Sequence, residues 1–425
     1  MARARRIPII DPMRHPLGNL LLTLFCFTPM VPAHAADTVT ISLWHSFRGQ
    51  EAMALETVVA TFNEQHADRL VTRQIDGHRF NDIVEEAFQK NGGPDIVVWA
   101  HDKVGPWANR GFILPLDDLV DTDTLDLYIP NCLDAVRSSG RLYGLPLSFE
   151  TLILYYNRNL VSRPPATTDE LIEIARGISN PAEKRYGLVY ERGNFYFHAI
   201  WLHGFGGRVF DEAGRFDVRS PAMIRSLEFA RDLSATHRII PDTVDWNVEI
   251  DLFNAGRAGM LISGPWAWGS LDWDSVPVGI AAMPVVSATN RFAAPFLGVK
   301  GFYINARSAH PRSSLAAMTH LTSAFSGCLM NVMAGYLPAN RFAYEFNALA
   351  EHPITAKCEE QVDSTVLMPS SREMGYVWQV MIHDNATNHP GCLDRIFLEG
   401  VSAEDAAQEA WNRYQALAEA DQRGK

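Results

Sequence analysis

Residues 93–103 read Gly93-Pro94-Asp95-Ile96-Val97-Val98-Trp99-Ala100-His101-Asp102-Lys103. Gly-Pro ends the preceding element, and the short β-branched run Ile96-Val97-Val98 predicts a buried strand. Directly after this run the chain changes to an aromatic residue, a carboxylate and an ammonium. Because ligands bind outside the carboxyl ends of strands in open α/β sheets, Trp99, Asp102 and Lys103 are candidates for a binding site.

This combination of side chains suits a neutral polyhydroxyl ligand. The indole of Trp99 would cover the apolar face of a sugar ring, while Asp102 accepts hydrogen bonds from hydroxyl groups and Lys103 donates them. The alternative is a purely structural role, with a core tryptophan followed by two charged surface residues. Residues 93–103 by themselves are equally compatible with both.

The chain before residue 93 has the pattern of a βαβ series. Residues 38–44 alternate and predict a strand, and residues 51–65 carry apolar side chains at helical spacing. A strand around residues 70–72 and a helix over residues 80–89 follow. Strand, helix, strand, helix, strand predicts a parallel sheet.

Further strands and helices are predicted along the rest of the chain, with no repeat, low-complexity tract or flexible linker. From Ser314 onward the pattern is mostly helical and ends with a helix over 403–420. This arrangement predicts two lobes joined by several crossing strands. The additional strand candidates are residues 152–156, 186–190, 260–263, 278–280 and 300–304.

Length and charge limit the class of protein. The chain has 425 residues, of which 47% are hydrophobic and 20% are charged. This length is enough to form the hydrophobic cores of two or three domains. The formal net charge of -12 argues against nucleic-acid binding. We therefore expect no nucleic-acid partner.

Residues 1–35 have the features of a cleavable signal peptide. An arginine-rich start precedes an apolar run over residues 17–31, and Ala33-His34-Ala35 supplies small residues for cleavage before Ala36. A membrane anchor is the alternative, but the apolar run is short and contains Pro29. We expect a free protein exported to the periplasm.

Four cysteines follow the signal segment: Cys132, Cys328, Cys358 and Cys392. An even number in an exported protein permits disulfides, and four buried free thiols are equally compatible with the sequence. No C-x-x-C spacing or histidine cluster indicates a structural zinc site.

A second stretch shares features with the first, because it too combines an apolar strand, a Gly-Pro break and tryptophan. The strand candidate Met260-Leu261-Ile262-Ser263 runs into Gly264-Pro265-Trp266-Ala267-Trp268, so a Gly-Pro break again presents aromatic residues from a loop. Two indoles two residues apart point in different directions. One can face a cleft while the other packs in the core.

The two stretches together closely resemble the maltose-binding group of extracellular solute-binding proteins, which feed ABC sugar importers. The likeness extends over essentially the whole mature chain. It includes residues 143–157, 253–256, Gly206-Gly207, Met368-Pro369 and Trp378.

The resemblance implies an α/β fold of two lobes, each a sheet flanked by helices, around a cleft (the type II-like periplasmic-binding-protein fold). The first lobe would comprise residues 36–148 plus 300–351, and the second residues 149–298 plus 352–425. The chain would cross between them near residues 149, 299 and 351.

The resemblance also assigns ligand-contacting positions. Trp99 and Asp102 match the family pattern outright, and Lys103 replaces an arginine, so its point charge cannot make a forked contact. The other matches are the hinge-side Glu150, the stacking residues Tyr196, Trp266 and Trp378, and Met368 at the far end of the pocket.

Several hydrogen-bonding positions depart from the family pattern. Ser46-Phe47-Arg48-Gly49 stands where the family has an Asp-Lys pair, Asn194 replaces a glutamate, and Ile382 replaces an arginine. Arg48 is then a candidate contact from the first lobe. Because a site built for one hydroxyl pattern rejects others, we expect an α-linked disaccharide or short oligosaccharide and leave the exact sugar open.

The expected protein is a monomeric receptor, not an enzyme, that needs no cofactor and closes around a sugar before meeting the membrane permease of an importer. An exported glycosidase is the strongest alternative, with Asp102 and Glu150 as a carboxylate pair about 5–10 Å apart. Asp102 adjoins Lys103, which would favour the ionised form of the carboxyl group if the two side chains approach, and this argues against that role. A metal receptor using His45, His101 and Asp102 is a third possibility without supporting ligand spacing.

Overall fold

The computed structural model describes residues 38–76, 79–383 and 389–423. The predicted signal peptide, residues 1–35, lies outside these ranges. Within them, no helix combines the length and the apolar character needed to cross a bilayer.

The described residues form short strands connected by helices. The strands are β1 Thr40–His45, β2 Arg69–Gln74, β3 Ile96–Ala100, β4 Arg137–Ser138, β5 Arg141–Leu142, β6 Gly144–Glu150, β7 Ile153–Asn157, β8 Tyr186–Val189, β9 Ala258–Ser263, β10 Val278–Ala281, β11 Val285–Val286, β12 Arg291–Phe292, β13 Phe296–Ile304, β14 Leu337–Pro338 and β15 Val366–Leu367. The α-helices are α1 Gly49–Gln65, α2 Phe80–Gln89, α3 Val104–Asn109, α4 Thr122–Leu125, α5 Pro130–Ala135, α6 Thr168–Ile178, α7 Phe195–Gly204, α8 Pro221–Ala235, α9 Trp246–Asn254, α10 Pro311–Leu321, α11 Ala324–Ala334, α12 Asn347–Ala350, α13 Pro353–Gln361, α14 Arg372–Met381, α15 Cys392–Phe397 and α16 Ala403–Arg423. Short 3₁₀ helices span His101–Lys103, Pro181–Glu183, Pro265–Ser270, Arg341–Glu345 and Val362–Ser364.

The first sheet contains the predicted βαβ series. Its strand order is β14-β6-β13-β3-β1-β2. β15 belongs to the same sheet and pairs with β13. β1 pairs in parallel with both β2 and β3, which confirms the predicted parallel arrangement. Ile41 and Leu43 of β1 are fully buried, as expected for the centre of such a sheet.

The second sheet has the order β10-β7-β9-β8. β6 ends at Glu150 in the first sheet and β7 begins at Ile153 in the second, so only two residues separate the sheets along the chain. The chain returns to the first sheet between the end of β12 at Phe292 and the start of β13 at Phe296. The two-lobe α/β class predicted from the sequence is the observed architecture.

All four cysteines of the described residues are free thiols. Cys132, Cys358 and Cys392 are buried, and burial raises the pKa of the Cys358 and Cys392 thiols to about 12. Only Cys328 is partly exposed. The free-thiol alternative left open by the sequence is therefore the one that the structure contains.

This arrangement predicts the outcome of thiol labelling. In the native mature protein, a polar thiol reagent should modify Cys328 and leave the three buried thiols unmodified, because reaction needs an accessible thiolate. Mass spectrometry of labelled native and denatured protein would show one and four modified thiols. A disulfide would appear as two cysteines that stay unmodified after denaturation, and it would contradict the structure.

Candidate functional site

The loop after β9 presents Trp266 at the surface. β9 is buried along its whole length, and Gly264-Pro265 ends it and begins the short 3₁₀ helix that carries the tryptophan. The indole folds over Gly264, where a β-carbon would collide with the ring, so a larger residue at this position would displace the indole. Trp266 is 42% exposed, an unusual condition for so large an aromatic side chain.

Tyr196 lies next to Trp266. Their ring centroids are 6.4 Å apart, and Phe296 lies 5.9 Å from Tyr196 on the other side. Asn194 accepts a hydrogen bond from the Tyr196 backbone N–H and so fixes the start of α7. We call Trp266, Tyr196 and Phe296 the aromatic cluster.

The hydroxyl of Tyr196 is buried and has no hydrogen-bond partner among the described residues. Burial raises the pKa of Tyr196 well above its usual value, and the negative charge of Glu150 adds to the rise. The hydroxyl therefore stays protonated. An unpaired buried hydroxyl is costly, and a ligand hydroxyl at this position would relieve that cost.

The end of β3 carries the second set of predicted residues. Trp99 is half-buried and stacks on Phe80 at 4.6 Å with an interplanar angle of 7°. Asp102 follows in the 3₁₀ helix, and its Oδ1 atom is buried without a hydrogen-bond partner in the described part of the chain. Like the Tyr196 hydroxyl, this oxygen lacks the hydrogen-bond partner that a buried polar atom normally has.

The pKa of Asp102 is shifted upward. Burial raises the pKa of Asp102 and outweighs the lowering effects of His101 and Lys103. The ammonium of Lys103 lies 3.6 Å from Glu85 Oε1. Desolvation therefore has a larger effect on the pKa of Asp102 than the neighbouring positive charge on which the sequence-based expectation depended.

The two predicted cations of the first lobe have carboxylate partners outside the set of predicted residues. Glu85, the partner of Lys103, also accepts hydrogen bonds from Arg110 at 2.5 Å and from the Trp107 indole at 3.1 Å. Arg48 precedes α1 and lies 3.1 Å from Asp76.

Glu150 stands at the end of β6, where the chain leaves the first sheet. Its Oε2 atom is 3.6 Å from Lys300 Nζ, and its side chain is 41% exposed. The charge of Glu150 contributes to the pKa shifts of Tyr196, Tyr336 and His101. Glu150 thus lies close to residues of both sheets.

The remaining predicted residues lie on the segment after residue 365. Trp378 of α14 meets Phe195 edge-on at 5.9 Å, and Phe195 in turn contacts Phe296 of the aromatic cluster at 6.5 Å. Met368 is half-buried, and its backbone N–H donates to Leu297 at 3.2 Å.

His101 connects these segments, in agreement with the packing or hydrogen-bonding role that the sequence favoured for it over a metal-binding one. Its Nδ1 atom accepts from the Val299 N–H at 3.1 Å, and Nε2 lies 2.8 Å from the Met368 carbonyl. The ring is fully buried, and burial lowers its pKa, so it is a neutral imidazole with Nε2–H as donor. Both ring nitrogens are used, which leaves no lone pair for the metal site considered from the sequence.

The structure brings some of the predicted residues together directly and others through neighbours. Tyr196 and Trp266 are in contact, Trp378 reaches them through Phe195, and Asp102 and Met368 are connected through His101. A groove of about 750 Å³ is lined by residues such as Arg208, Arg291 and Phe296 and by none of the nine predicted residues.

Comparisons with known proteins point to one family. Residues 49–324 match the family model described as bacterial extracellular solute-binding protein. A maltotriose-binding protein of Pyrococcus abyssi (strain GE5 / Orsay) is 26% identical over 345 residues, which cover 80% of this chain and 75% of the relative.

Solved structures show the same fold. A cyclo/maltodextrin-binding protein in complex with maltotetraose superimposes with a TM-score of 0.80 at 24% identity, covering 90% of this chain and 97% of that one. The maltose-maltodextrin binding protein of Alicyclobacillus acidocaldarius gives a TM-score of 0.72 at 26% identity, covering 88% of this chain and 100% of that one.

Proposed function

The chain belongs to the bacterial extracellular solute-binding protein family, and from that premise we propose that it is the receptor of an ABC importer for a short α-linked glucan. The sugar binds between the two lobes, and the closed receptor delivers it to the membrane permease. The names of the relatives support maltose, maltotriose or a slightly longer maltodextrin as the ligand class.

One observation supports this function most directly. An exposed indole, Trp266, lies beside a buried tyrosine hydroxyl without a partner among the described residues; Trp266 follows β9 and Tyr196 lies in the first turn of α7. A sugar ring offers an apolar face to the indole and hydroxyl groups to the tyrosine. Neither a metal ion nor an acidic ligand matches this pair.

The proposed lobes are residues 36–148 plus 300–351 and residues 149–298 plus 352–425. The passage from Glu150 to Ile153 between the two sheets supports the first boundary, and the return at Phe296 supports the second. The sugar would be held by contacts from both lobes, so binding would shift the population toward the closed form.

The proposed ligand contacts are the nine positions predicted from the sequence. Trp266, Tyr196 and Trp378 stack on sugar rings, and Met368 closes the far end. Hydroxyl groups meet the polar side chains, which are Trp99 through its indole N–H, Asp102, Lys103, Glu150 and Arg48.

We also propose that the protein does not hydrolyse its ligand. The raised pKa of Asp102 is the one observation that favours a glycosidase, since a general acid needs such a shift. The same burial and unpaired oxygen suit a carboxyl group that binds a sugar hydroxyl. The relatives described above are binding proteins.

Export to the periplasm as a monomer, with cleavage before Ala36, completes the proposal. The mass of the protein recovered from the periplasmic fraction of expressing cells would establish the cleavage position. Its elution in size-exclusion chromatography would establish its oligomeric state.

Titration of the mature protein with small sugars tests the function. Maltose, maltotriose, maltotetraose, trehalose and sucrose should be compared by intrinsic tryptophan fluorescence and by thermal melting. We expect a saturable response and a raised melting temperature with at least one α-glucan, because a ligand in excess of its Kd stabilises the native state. The recovered sugar should be unchanged. If no α-glucan changed the fluorescence or the melting temperature, the receptor assignment would be contradicted. Hydrolysis products would establish the glycosidase instead.

A further inference from the structure

A row of polar side chains at the junction of the two sheets joins Glu150 to three residues that belong to none of the positions assigned so far. We propose that Lys300, Tyr336 and Glu51, together with Glu150, form a hydrogen-bonding row that contacts sugar hydroxyls and determines which α-linked sugar is accepted. The inference rests on the proposed function and assigns it three further specificity-determining residues. We call these four residues the junction row.

The members of the junction row are in contact with one another. Lys300 Nζ lies 3.6 Å from Glu150 Oε2 and 5.3 Å from the centroid of the Tyr336 ring. The Tyr336 hydroxyl donates to Glu51 Oε1 at 2.9 Å. The row is continuous although its residues are separated by up to 285 positions in the sequence.

The junction row lies at the ligand-binding edge of the first sheet. Lys300 pairs with Ala100, the last residue of β3, and Glu51 lies in the first turn of α1, just beyond the carboxyl end of β1. The ring centroid of Tyr336 lies 5.7 Å from that of Phe47, which is in the loop between β1 and α1. Carboxyl ends of parallel strands are where α/β sheets bind ligands.

The row has unused hydrogen-bonding capacity. A separation of 3.6 Å is too long for a hydrogen bond, so Lys300 Nζ donates none to any residue that the structure describes. The side chains of Lys300 and Glu150 are 31% and 41% exposed, which leaves both accessible. An ammonium beside a carboxylate can donate to one sugar hydroxyl and accept from its neighbour.

Lys300 also differs in its surroundings from the two cations predicted from the sequence. Lys103 lies against a carboxylate that Arg110 already pairs at 2.5 Å, and Arg48 lies against Asp76. The carboxylate beside Lys300 is Glu150, itself a proposed ligand contact. Among these three cations, Lys300 is therefore the one whose partner belongs to the site.

Substitution of Lys300 and Tyr336 tests the inference. K300M keeps the length of the side chain and removes its charge, and Y336F removes only the hydroxyl. Isothermal titration with maltose and maltotriose should show binding weakened roughly 10- to 100-fold in K300M, since a hydrogen bond from a charged group is lost. Y336F should weaken it roughly 3- to 10-fold. K90M is the matched control, because Lys90 pairs with Glu86 on the exposed side of α2, and it should bind as the wild type does.

Maltose analogues that each lack one hydroxyl separate a contact role from a structural one. If Lys300 contacts a particular hydroxyl, the loss caused by K300M disappears for the analogue lacking that group and persists for the others. An equal loss for every analogue, or affinities within about twofold of wild type in both variants, would overturn the inference while the function stands. Failure of the wild type to bind any α-glucan rejects the function, and the inference with it.

Discussion

Replacing Trp266 with alanine should weaken sugar binding by about 1–3 kcal/mol, which corresponds to roughly a 5- to 150-fold increase in Kd. The indole is 42% exposed in the free protein, so stacking on a sugar would bury surface that folding leaves accessible. Since the ring packs little in the free state, W266A should leave the melting temperature of the sugar-free protein nearly unchanged. Isothermal titration and melting curves measure the two quantities separately.

Trp411 supplies a matched control. It is half-buried on α16, with its ring 6.0 Å from Tyr414 and the Arg219 guanidinium over its face at 4.6 Å. W411A should therefore lower the melting temperature and leave Kd unaltered. If W266A bound sugar as tightly as the wild type, Trp266 would not be a stacking residue and the aromatic cluster would have to be reassigned.

The elements that the sequence predicted well are those with a strong local pattern. The run Ile96-Val97-Val98 is a strand because its β-branched side chains are buried on both faces, and Gly-Pro breaks set its beginning and the end of β9. Such features depend only on neighbouring residues. The parallel order of β1, β2 and β3 then follows from the connecting helices.

β6 lacked such a local pattern. Pro146 has no N–H for the ladder and argues against a strand with neighbours on both sides. The structure accommodates it through a shift in the register of β13 between Lys300 and Gly301, opposite the proline. Only the complete sheet, with β14 on the other edge of β6, shows that this segment is a strand.

The aromatic part of the candidate site has a signal in the sequence, whereas its polar part has less. Tryptophans after Gly-Pro breaks and the family resemblance point to Trp99 and Trp266, which stay predictions. The upward shift in the pKa of Asp102 was not foreseen, because burial is not visible in the sequence, whereas an adjacent lysine is. Glu51, Lys300 and Tyr336 could not be recognised because their contacts join distant segments of the chain.

Replacing Glu249 with glutamine should reduce the loss of stability that the protein undergoes as pH rises from about 5 to 8. Glu249 is fully buried in α9, and its Oε2 atom has no hydrogen-bond partner among the described residues. Burial, with the charges of Glu191 and Asp245, raises the pKa of Glu249 to about 9, and the Ser263 hydroxyl at 3.3 Å from Oε1 offsets little of that shift.

The direction of this pH effect follows from the protons that Glu249 binds in the native and in the unfolded state. Above the ordinary pKa of 4.5 the unfolded chain releases this proton, whereas the native protein keeps it until about pH 9. The free energy of unfolding therefore falls with pH across this window, by roughly 1.4 kcal/mol per pH unit for this group and by about 3 kcal/mol at pH 7. Below pH 4.5 both states hold the proton and the penalty is absent.

Urea unfolding of the wild type and E249Q at pH 5 and pH 8 measures this difference. E249Q should be more stable than the wild type by about 4–5 kcal/mol at pH 8 and by less than about 1 kcal/mol at pH 5, because the amide does not ionise. E64Q, at an exposed position near the end of α1, is the control and should follow the wild type at both pH values. Parallel pH profiles for the wild type and E249Q would show that Glu249 is ionised in the native state. Ser263, which donates to Glu249, directly precedes the loop that carries Trp266, so the protonation of Glu249 is tied to the residue from which that loop starts.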